Sequence, residues 1–251
     1  MKICIPSFNR YETINQKSLK VLLNGGYKPS EIDVFVANKE QYDKYKQIIH
    51  ADINIIIGVK GLKNIREFIF DYYEEGEKLL CLDDDIEAIS GIFVCEDNIK
   101  RPRPITNLKE IVNRGFDLCE NHSLKLWGLY PCSNVFFMEL HEPVTTDYKF
   151  IIGNFFGCIN CKEMNKLSVL DYDDFERSIK SYLLYGGSVR MNHLSAKTKY
   201  QKNKGGCQET DRETNFAISR EILLTSYPDF IFMRKRRGRQ GGSNPVLKDK
   251  R

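Results

Sequence analysis

Three consecutive carboxylates, Asp83, Asp84 and Asp85, stand directly behind the apolar run Leu79-Leu80-Cys81-Leu82, and apolar sequence resumes at Ile86. An unbroken apolar run of this kind reads as a strand buried on both faces. Three acids at its end are not packed away together, because an unpaired buried carboxylate is strongly unfavourable. They meet solvent, a basic partner or a metal. At the carboxyl ends of strands in an open α/β sheet, ligands bind; the competing reading is a solvated acidic turn.

The elements around the triplet decide how it is presented. Lys2–Pro6 reads as a first strand, followed by the polar loop Ser7-Phe8-Asn9-Arg10 and a helix over about Thr13–Leu23 that stops at Gly25-Gly26. Strands at Asp33–Ala37 and Ile53–Val59 flank an amphipathic helix over Lys39–Ile49. A helix over Leu62–Tyr73 carries the stripe Ile65, Phe68, Ile69, Tyr72 and Tyr73. Four strands alternate with three helices before the triplet, which predicts right-handed crossovers and a parallel sheet with the acids at the mouth of its fourth strand. Further on, Glu87–Val94 reads as a strand or hairpin, and Arg101-Pro102-Arg103-Pro104 as a stiff exposed connection. Asn107 or Thr106 caps a helix bearing Leu108, Ile111, Val112, Phe116 and Cys119. Leu124–Leu129 and Lys149–Ile159 read as strands, the second interrupted by Gly153 and Gly157. A helix over Asp173–Tyr185 leads to a strand at Ser188–Leu194 and a lysine-rich mobile loop over Ser195–Gly206. A last helix covers about Thr210–Leu224.

Several chemistries are excluded. Counted from Asp83, the sixth and twelfth positions are Ala88 and Val94, where a calcium loop needs Gly and Glu. There is no phosphate-binding Gly-x-x-x-x-Gly-Lys-Ser/Thr loop and no Gly-x-Gly-x-x-Gly after the first strand. His141-Glu142 has no partner histidine at helical spacing. Cys158-Ile159-Asn160-Cys161 has zinc-like spacing without a second pair, and buried thiols are the simpler reading. What remains is a set of hard oxygen ligands suited to Mg²⁺ or Mn²⁺ bridging a diphosphate.

The chain here resembles the GT-A nucleotide-sugar glycosyltransferases. The likeness rests on Ile5-Pro6-Ser7-Phe8-Asn9-Arg10 at the first strand's end and on Gly58-Val59-Lys60-Gly61-Leu62-Lys63-Asn64-Ile65-Arg66 before a helix. Gly76-Glu77-Lys78 and the strand into Asp83-Asp84-Asp85 complete it. A second echo, Asp173-Asp174-Phe175-Glu176-Arg177-Ser178 followed by Gly186-Gly187, is similar to the acceptor-side motif of inverting members. The resemblance implies an α/β fold: a single GT-A type, Rossmann-like domain with a mostly parallel central sheet flanked by helices. Residues 1–90 would form the nucleotide-sugar half, 91–233 the acceptor half, and 234–251 a basic tail.

It also implies roles. Asp83 and Asp85 would hold Mn²⁺ or Mg²⁺ against the diphosphate, with Asp84 or Asp85 nearest the donor ribose. Lys63 and Arg66, at a helix start, would face the phosphates; the plainer reading is a solvated basic turn. Pro6, Ser7 and Arg10 would line the pocket for base and ribose, or form an ordinary loop. Asp174 would be the general base for the acceptor hydroxyl, with Asp173 and Glu176 as rivals and helix capping as the alternative. His193 would supply a third metal ligand, as some members do from a comparable late position, or be a plain strand residue.

Composition bears on the partners. Of 251 residues 41% are hydrophobic, enough for a core, and no stretch approaches the ~18 apolar residues of a membrane span. The start is too quickly polar for a signal peptide, and Cys4, Cys81, Cys95, Cys119, Cys132 and Cys158 sit among apolar residues as reduced thiols do. A cytoplasmic protein without a membrane partner is expected, in the host cytoplasm were it viral. The net charge of +4 is uneven: residues 234–251 carry +7, which leaves −3 on the first 233. Five basic residues in six from Arg234 to Arg239 repel one another unless neutralised, and nucleic-acid phosphate is a common partner. The chain is loosely similar to viral, phage-type and base J-related glucosyltransferases, which implies a UDP-sugar donor and a hydroxymethylated pyrimidine in DNA as acceptor, flipped or reached through the groove. A carbohydrate or protein acceptor, a metal-dependent nuclease and a non-catalytic DNA-binding protein are the alternatives.

Overall fold

The computed structural model describes residues 1–94, 100–198, 212–235 and 243–249. Strand β1 (Lys2–Pro6) is followed by α1 (Tyr11–Ile14), a π-helical stretch (Asn15–Leu19) and α2 (Lys20–Asn24) as one rod. Widened turns of this type gather at functional sites, and this one holds Ser18. Its hydroxyl donates to Asp83 O at 2.6 Å and accepts from Ile86 N at 2.9 Å, clamping both ends of the acidic triplet. Next come β2 (Ile32–Val36), α3 (Lys39–Lys46), β3 (Asn54–Ile57), α4 (Leu62–Tyr72) and β4 (Lys78–Leu82). They form a parallel sheet in the order β3-β2-β1-β4. The acids leave the carboxyl end of β4, as the sequence predicts.

The second half contributes β5 (Ala88–Val94), β6 (Lys100–Pro104), α5 (Leu108–Asn121), β7 (Leu126–Tyr130), β8 (Val144–Thr145) and β9 (Phe155–Ile159). These are followed by α6 (Lys162–Asn165), α7 (Asp173–Tyr185), β10 (Val189–Lys197), α8 (Arg212–Ser226), β11 (Ile231–Lys235) and β12 (Ser243–Leu247). One sheet continues through β4-β9-β7-β10-β5-β6, with β8 on β10. The pairings make β5, β8 and β9 run against the other seven strands, so the sheet is mostly parallel. Carboxyl ends of β4, β7 and β10 therefore share one edge.

Large apolar clusters cover both faces. Ile3, Ile5, Leu80, Leu82, Phe116 and Trp127 belong to one, and Cys4, Phe35, Ile69, Phe70, Cys81 and Phe156 to the other. Trp127 lies fully buried between Gly115 and Gly157. A Cβ on Gly157 would stand 1.9 Å from Trp127 Nε1, and one on Gly115 2.4 Å from its Cδ2. Gly157→Ala is accordingly expected to destabilise the protein by about 1–3 kcal/mol through overpacking, measured by urea denaturation. An unchanged midpoint would show that the ring moves aside freely.

Three expectations need correcting. The strand predicted over Lys149–Ile159 is reduced to β9, because the preceding backbone bonds to side chains of the acidic region instead of a ladder. Ile151 N donates to Ser178 Oγ and Gly153 N to Asp174, while Gly153 O accepts from Arg66. The stretch read as a stiff connection is β6, a sheet-edge strand, where proline's missing N–H is tolerated. The body-to-tail boundary expected after residue 233 falls inside β11, which pairs with β12. Leu247 is buried with Val169, Ile179, Leu223 and Ile231, so this part of the tail packs on the body. Most of the basic run, residues 236–242, lies outside the described residues. So does most of the loop expected over Ser195–Gly206, although Ser195–Lys197 belong to β10. No described helix is long and apolar enough to cross a membrane.

Candidate active site

The loop after β1 is tied to the acids from below. Ser7 Oγ donates to Asp84 Oδ2 at 2.6 Å and lies 2.6 Å from Tyr45 Oη, which accepts from Arg10 N. Asn9, in the left-handed region at φ 55°, exchanges hydrogen bonds with Gln41 on α3: Asn9 N reaches Gln41 Oε1 and Gln41 Nε2 reaches Asn9 Oδ1. Arg10 Nη1 donates to Asp84 Oδ1 at 2.8 Å and stands 3.5 Å from Asp85 Oδ2. Asp84 thus turns inward, with both oxygens engaged by Ser7 and Arg10. Burial raises its pKa, while Arg10 and Ser7 act the other way. The expectation that Asp84 and Ser7 face a donor ribose is corrected: they fix the loop that presents Arg10. Pro6 pairs with Phe35 within the sheet and is half-buried beneath that loop.

Asp83 looks outward, whereas Asp85 is only 9% exposed and lies against Arg10. Asp83 keeps 40% of its side chain open at the sheet edge, its amide bonded to Asn154 O. Burial, with Asp85, Asp84 and Asp173 nearby, lifts its carboxyl toward about 7 against the pull of Arg66. Asp85 Oδ1 accepts from Thr198 Oγ1 at 2.8 Å.

Arg66 is placed differently from expectation. It projects from α4 but is only 2% exposed. Its Nη2 donates to Asp83 Oδ1 at 2.7 Å and to Gly153 O at 3.0 Å, and its Nε lies 3.7 Å from Asp173 Oδ2. A guanidinium held this way does not face solvent or a ligand's phosphates, so the reading of its side chain as a phosphate clamp is corrected. Lys63, one turn earlier, stands 4.0 Å from Glu67 on the same helix and fits the plainer reading of a helix-surface cation.

The second acidic motif opens α7. The capping position is Tyr172, left-handed at φ 65° and without a side-chain cap, while Asp173, Asp174 and Glu176 fall in the first turn, where an acid also stabilises the helix start. Asp174 accepts from Gly153 N at 3.2 Å and from Phe175 N at 3.0 Å. Burial, then the adjacent charge of Asp173, raises its carboxyl to about 7. Asp173 behaves oppositely. Burial pushes it up, but Arg177, bonded at 2.9 Å, and Arg66 outweigh this and hold it below the usual carboxylate range. Glu176 is 1% exposed and accepts from Ser168 N, Ser168 Oγ, Val169 N and Tyr227 Oη. Asp173 and Glu176 are therefore fully engaged inside the fold. Asp174 is the acid of the three that is poised near neutrality and bonded to the backbone of Gly153, the residue that Arg66 ties to Asp83.

His193 sits elsewhere in the arrangement. Its Nδ1 is 2.9 Å from Pro143 O, and burial lowers its pKa. Among the described residues no three His, Cys, Asp or Glu side chains gather closely enough to hold a cation, so His193 is not brought together with Asp83 and Asp85. The donor set of Asp83 and Asp85 nonetheless suits Mg²⁺ or Mn²⁺, which are held by one or two carboxylates together with substrate phosphates and water. Sequence reasoning missed Ser18, Tyr45, Gln41, Asn154 and Thr198, which act through one or a few hydrogen bonds to residues distant in sequence and carry no pattern. Arg177 did leave a signal, lying one helical turn after Asp173.

No family model and no curated protein sequence matches the chain. Solved structures do. Residues 1–349 of S. aureus TarS in complex with UDP-GlcNAc superpose with a TM-score of 0.51 at 14% identity, over 89% of this chain and 66% of that one. Glucosyl-3-phosphoglycerate synthase from Mycobacterium tuberculosis, with Mn²⁺, UDP-glucose and phosphoglyceric acid, gives 0.48 at 10% identity over 93% and 83%. Mannosyltransferase PcManGT from Pyrobaculum calidifontis, with GDP-Man and Mn²⁺, gives 0.47 at 11% over 76% and 56%. This chain spans 59–66% of the TarS 1–349 fragment, depending on the crystal structure compared. The TarS superposition shows the fold: it is the GT-A architecture.

Proposed function

We propose that the chain is a nucleotide-sugar glycosyltransferase that moves a hexosyl group from a UDP-sugar to a hydroxyl acceptor with inversion. One observation supports the proposal: Asp83 and Asp174 are linked at the carboxyl edge of the sheet through the Arg66 guanidinium and the backbone of Gly153. In an inverting displacement the acceptor oxygen attacks the anomeric carbon as the bond to the diphosphate breaks and its electrons leave with the phosphate. Asp174 takes the acceptor proton, and a carboxylate poised at about 7 is matched to that task near neutral pH. Asp83 and Asp85 would hold Mn²⁺ or Mg²⁺, and a bound cation neutralises the departing nucleoside diphosphate. Arg10, fixed by Asp84, brings a further cation to the same edge.

The proposed acceptor is a hydroxymethylated pyrimidine in DNA. Its support is the +7 charge of residues 234–251 and two exposed aromatics, Phe136 and Phe137, in the loop that follows β7. Aromatic faces stack on bases without regard to sequence. The test is hydrolysis of a panel of UDP- and GDP-sugars with Mn²⁺, with and without hydroxymethylated duplex DNA. Hydrolysis of no nucleotide-sugar would overturn the transferase reading. Because β12 belongs to the packed body, the tail is probed by substitution. Replacing Arg236, Arg237 and Arg239 with Ser is expected to weaken duplex binding and flatten its log–log salt slope by up to about 2.7. Donor hydrolysis should be unchanged. Unaltered DNA binding would remove the tail from the acceptor site.

A further inference from the structure

We propose that Arg66 is a positioning residue that sets the base Asp174 in register with the donor-side carboxylate Asp83. The inference rests on the glycosyltransferase reading above and goes beyond it by assigning a role through neighbouring groups. Arg66 rises from α4, in the half of the chain that carries the acid triplet, yet most of its partners lie in the other half. One nitrogen, Nη2, spans Asp83 Oδ1 and Gly153 O. The N–H of the same residue, Gly153, donates to Asp174 Oδ2. The Nε edge faces Asp173 Oδ2, in the residue before the base, and Arg177 bonds to the same oxygen. Both guanidiniums lie over the ring of Phe156, Arg66 at 5.8 Å and Arg177 at 4.6 Å. Two short links, one through the backbone of Gly153 and one through a carboxylate, thus run from Asp83 to the start of α7.

Burying a guanidinium is costly unless its charges and hydrogen bonds are matched. Arg66 Nε and Nη1 are nevertheless buried without a hydrogen-bond partner. A cation kept there solely for stability would have its donors filled. Reaching both carboxylates at once instead leaves it between them, 2.7 Å from one and 3.7 Å from the other. Catalysis requires the attacking oxygen, the base and the anomeric carbon to align within tenths of an ångström, and a shift of about 1 Å costs roughly 100-fold.

The test compares wild type, Arg66→Gln, Arg66→Lys and Asp173→Asn in binding and in transfer. Titration calorimetry with UDP and with UMP in Mn²⁺ reads donor-side contacts, and initial rates separate kcat from donor KM. We expect UDP affinity within about threefold of wild type and an unchanged UDP-to-UMP ratio in all three variants. Transfer kcat should fall roughly 100-fold in Arg66→Gln, with partial recovery in Arg66→Lys and a smaller loss in Asp173→Asn. A selective loss of UDP over UMP affinity would make Arg66 a diphosphate ligand and overturn the inference. So would wild-type kcat in Arg66→Gln. Should Arg66→Gln fail to fold, Asp173→Asn decides: it keeps the shape of the side chain while weakening its attraction for Arg66, and wild-type kcat there rejects the proposal. Failure of wild type itself to bind UDP with Mn²⁺ defeats the transferase reading, a different result from any of these.

Discussion

Asp174→Asn should lower the transfer rate by about 10²–10⁴-fold, the usual worth of a positioned general base. The amide oxygen can still accept from Gly153 N, though the bond from Phe175 N is then lost, so the loop and donor affinity should persist. What disappears is the ability to take a proton. In the wild-type protein transfer should rise with pH and level off above about 7, as the raised carboxyl ionises. Stability moves the opposite way. The folded protein holds this proton more tightly than the unfolded chain, whose aspartates ionise near ~3.9. The contribution of the protonated form is lost as pH climbs between those values, the reverse of a salt-bridged aspartate. Asp174→Asn should therefore melt above wild type at pH 8, with the gap closing toward pH 4. Near-wild-type transfer by this variant, together with inactive Glu176→Gln, would move the base elsewhere.

Asp85→Asn should reduce transfer by about 10²–10³-fold, corresponding to several kcal/mol of charge stabilisation at the departing diphosphate. The asparagine oxygen can still accept from Thr198 Oγ1, so the local fold has little reason to change. Asp83→Asn should be at least as severe, because it also weakens the anchor of Arg66. The accompanying measurement is Mn²⁺ dependence: wild type inactive in EDTA and restored by Mn²⁺, with both variants showing weakened Mn²⁺-dependent UDP binding. Full activity in EDTA would remove the cation from the reaction.

The parts of this molecule that were legible in the sequence are those built from repeated local pattern. The strands up to β4 are apolar and sit between amphipathic helices, so periodicity located them to within two residues at most boundaries. α7 was found with its observed bounds because acids open it and paired glycines close it. The stretch over 149–154 was misread because its apolar residues resemble a strand, while its backbone is spent on Ser178, Asp174 and Arg66. β11–β12 was hidden by its own charge: Arg234 and Lys235 dominate a segment whose neighbours Ile231 and Leu247 are core. Within the site the orientation of the side chains was not legible. Nothing in Asp83-Asp84-Asp85 tells which carboxylate turns inward, since that depends on Ser7 and Arg10 reaching it from another strand. Arg66 looked like a phosphate ligand because a cation at a helix start commonly is one; Asp173, more than a hundred residues away, determines otherwise.

The place of β9 in the sheet has a consequence for how this protein is made. β4 lies between β1 and β9, and its Leu79, Leu80, Cys81 and Leu82 are almost entirely buried. On the ribosome β1 to β4 emerge first, whereas β9 begins about 70 residues after β4 ends. At about 5–20 residues per second, β4 waits roughly 4–14 s before its second neighbour is synthesised. Throughout that interval the nascent chain offers an apolar strand with a free row of backbone donors and acceptors, a template for pairing with another chain. Residues 1–90 are thus the part of the polypeptide that most needs a holding chaperone, and expressed alone they should be recovered as aggregate.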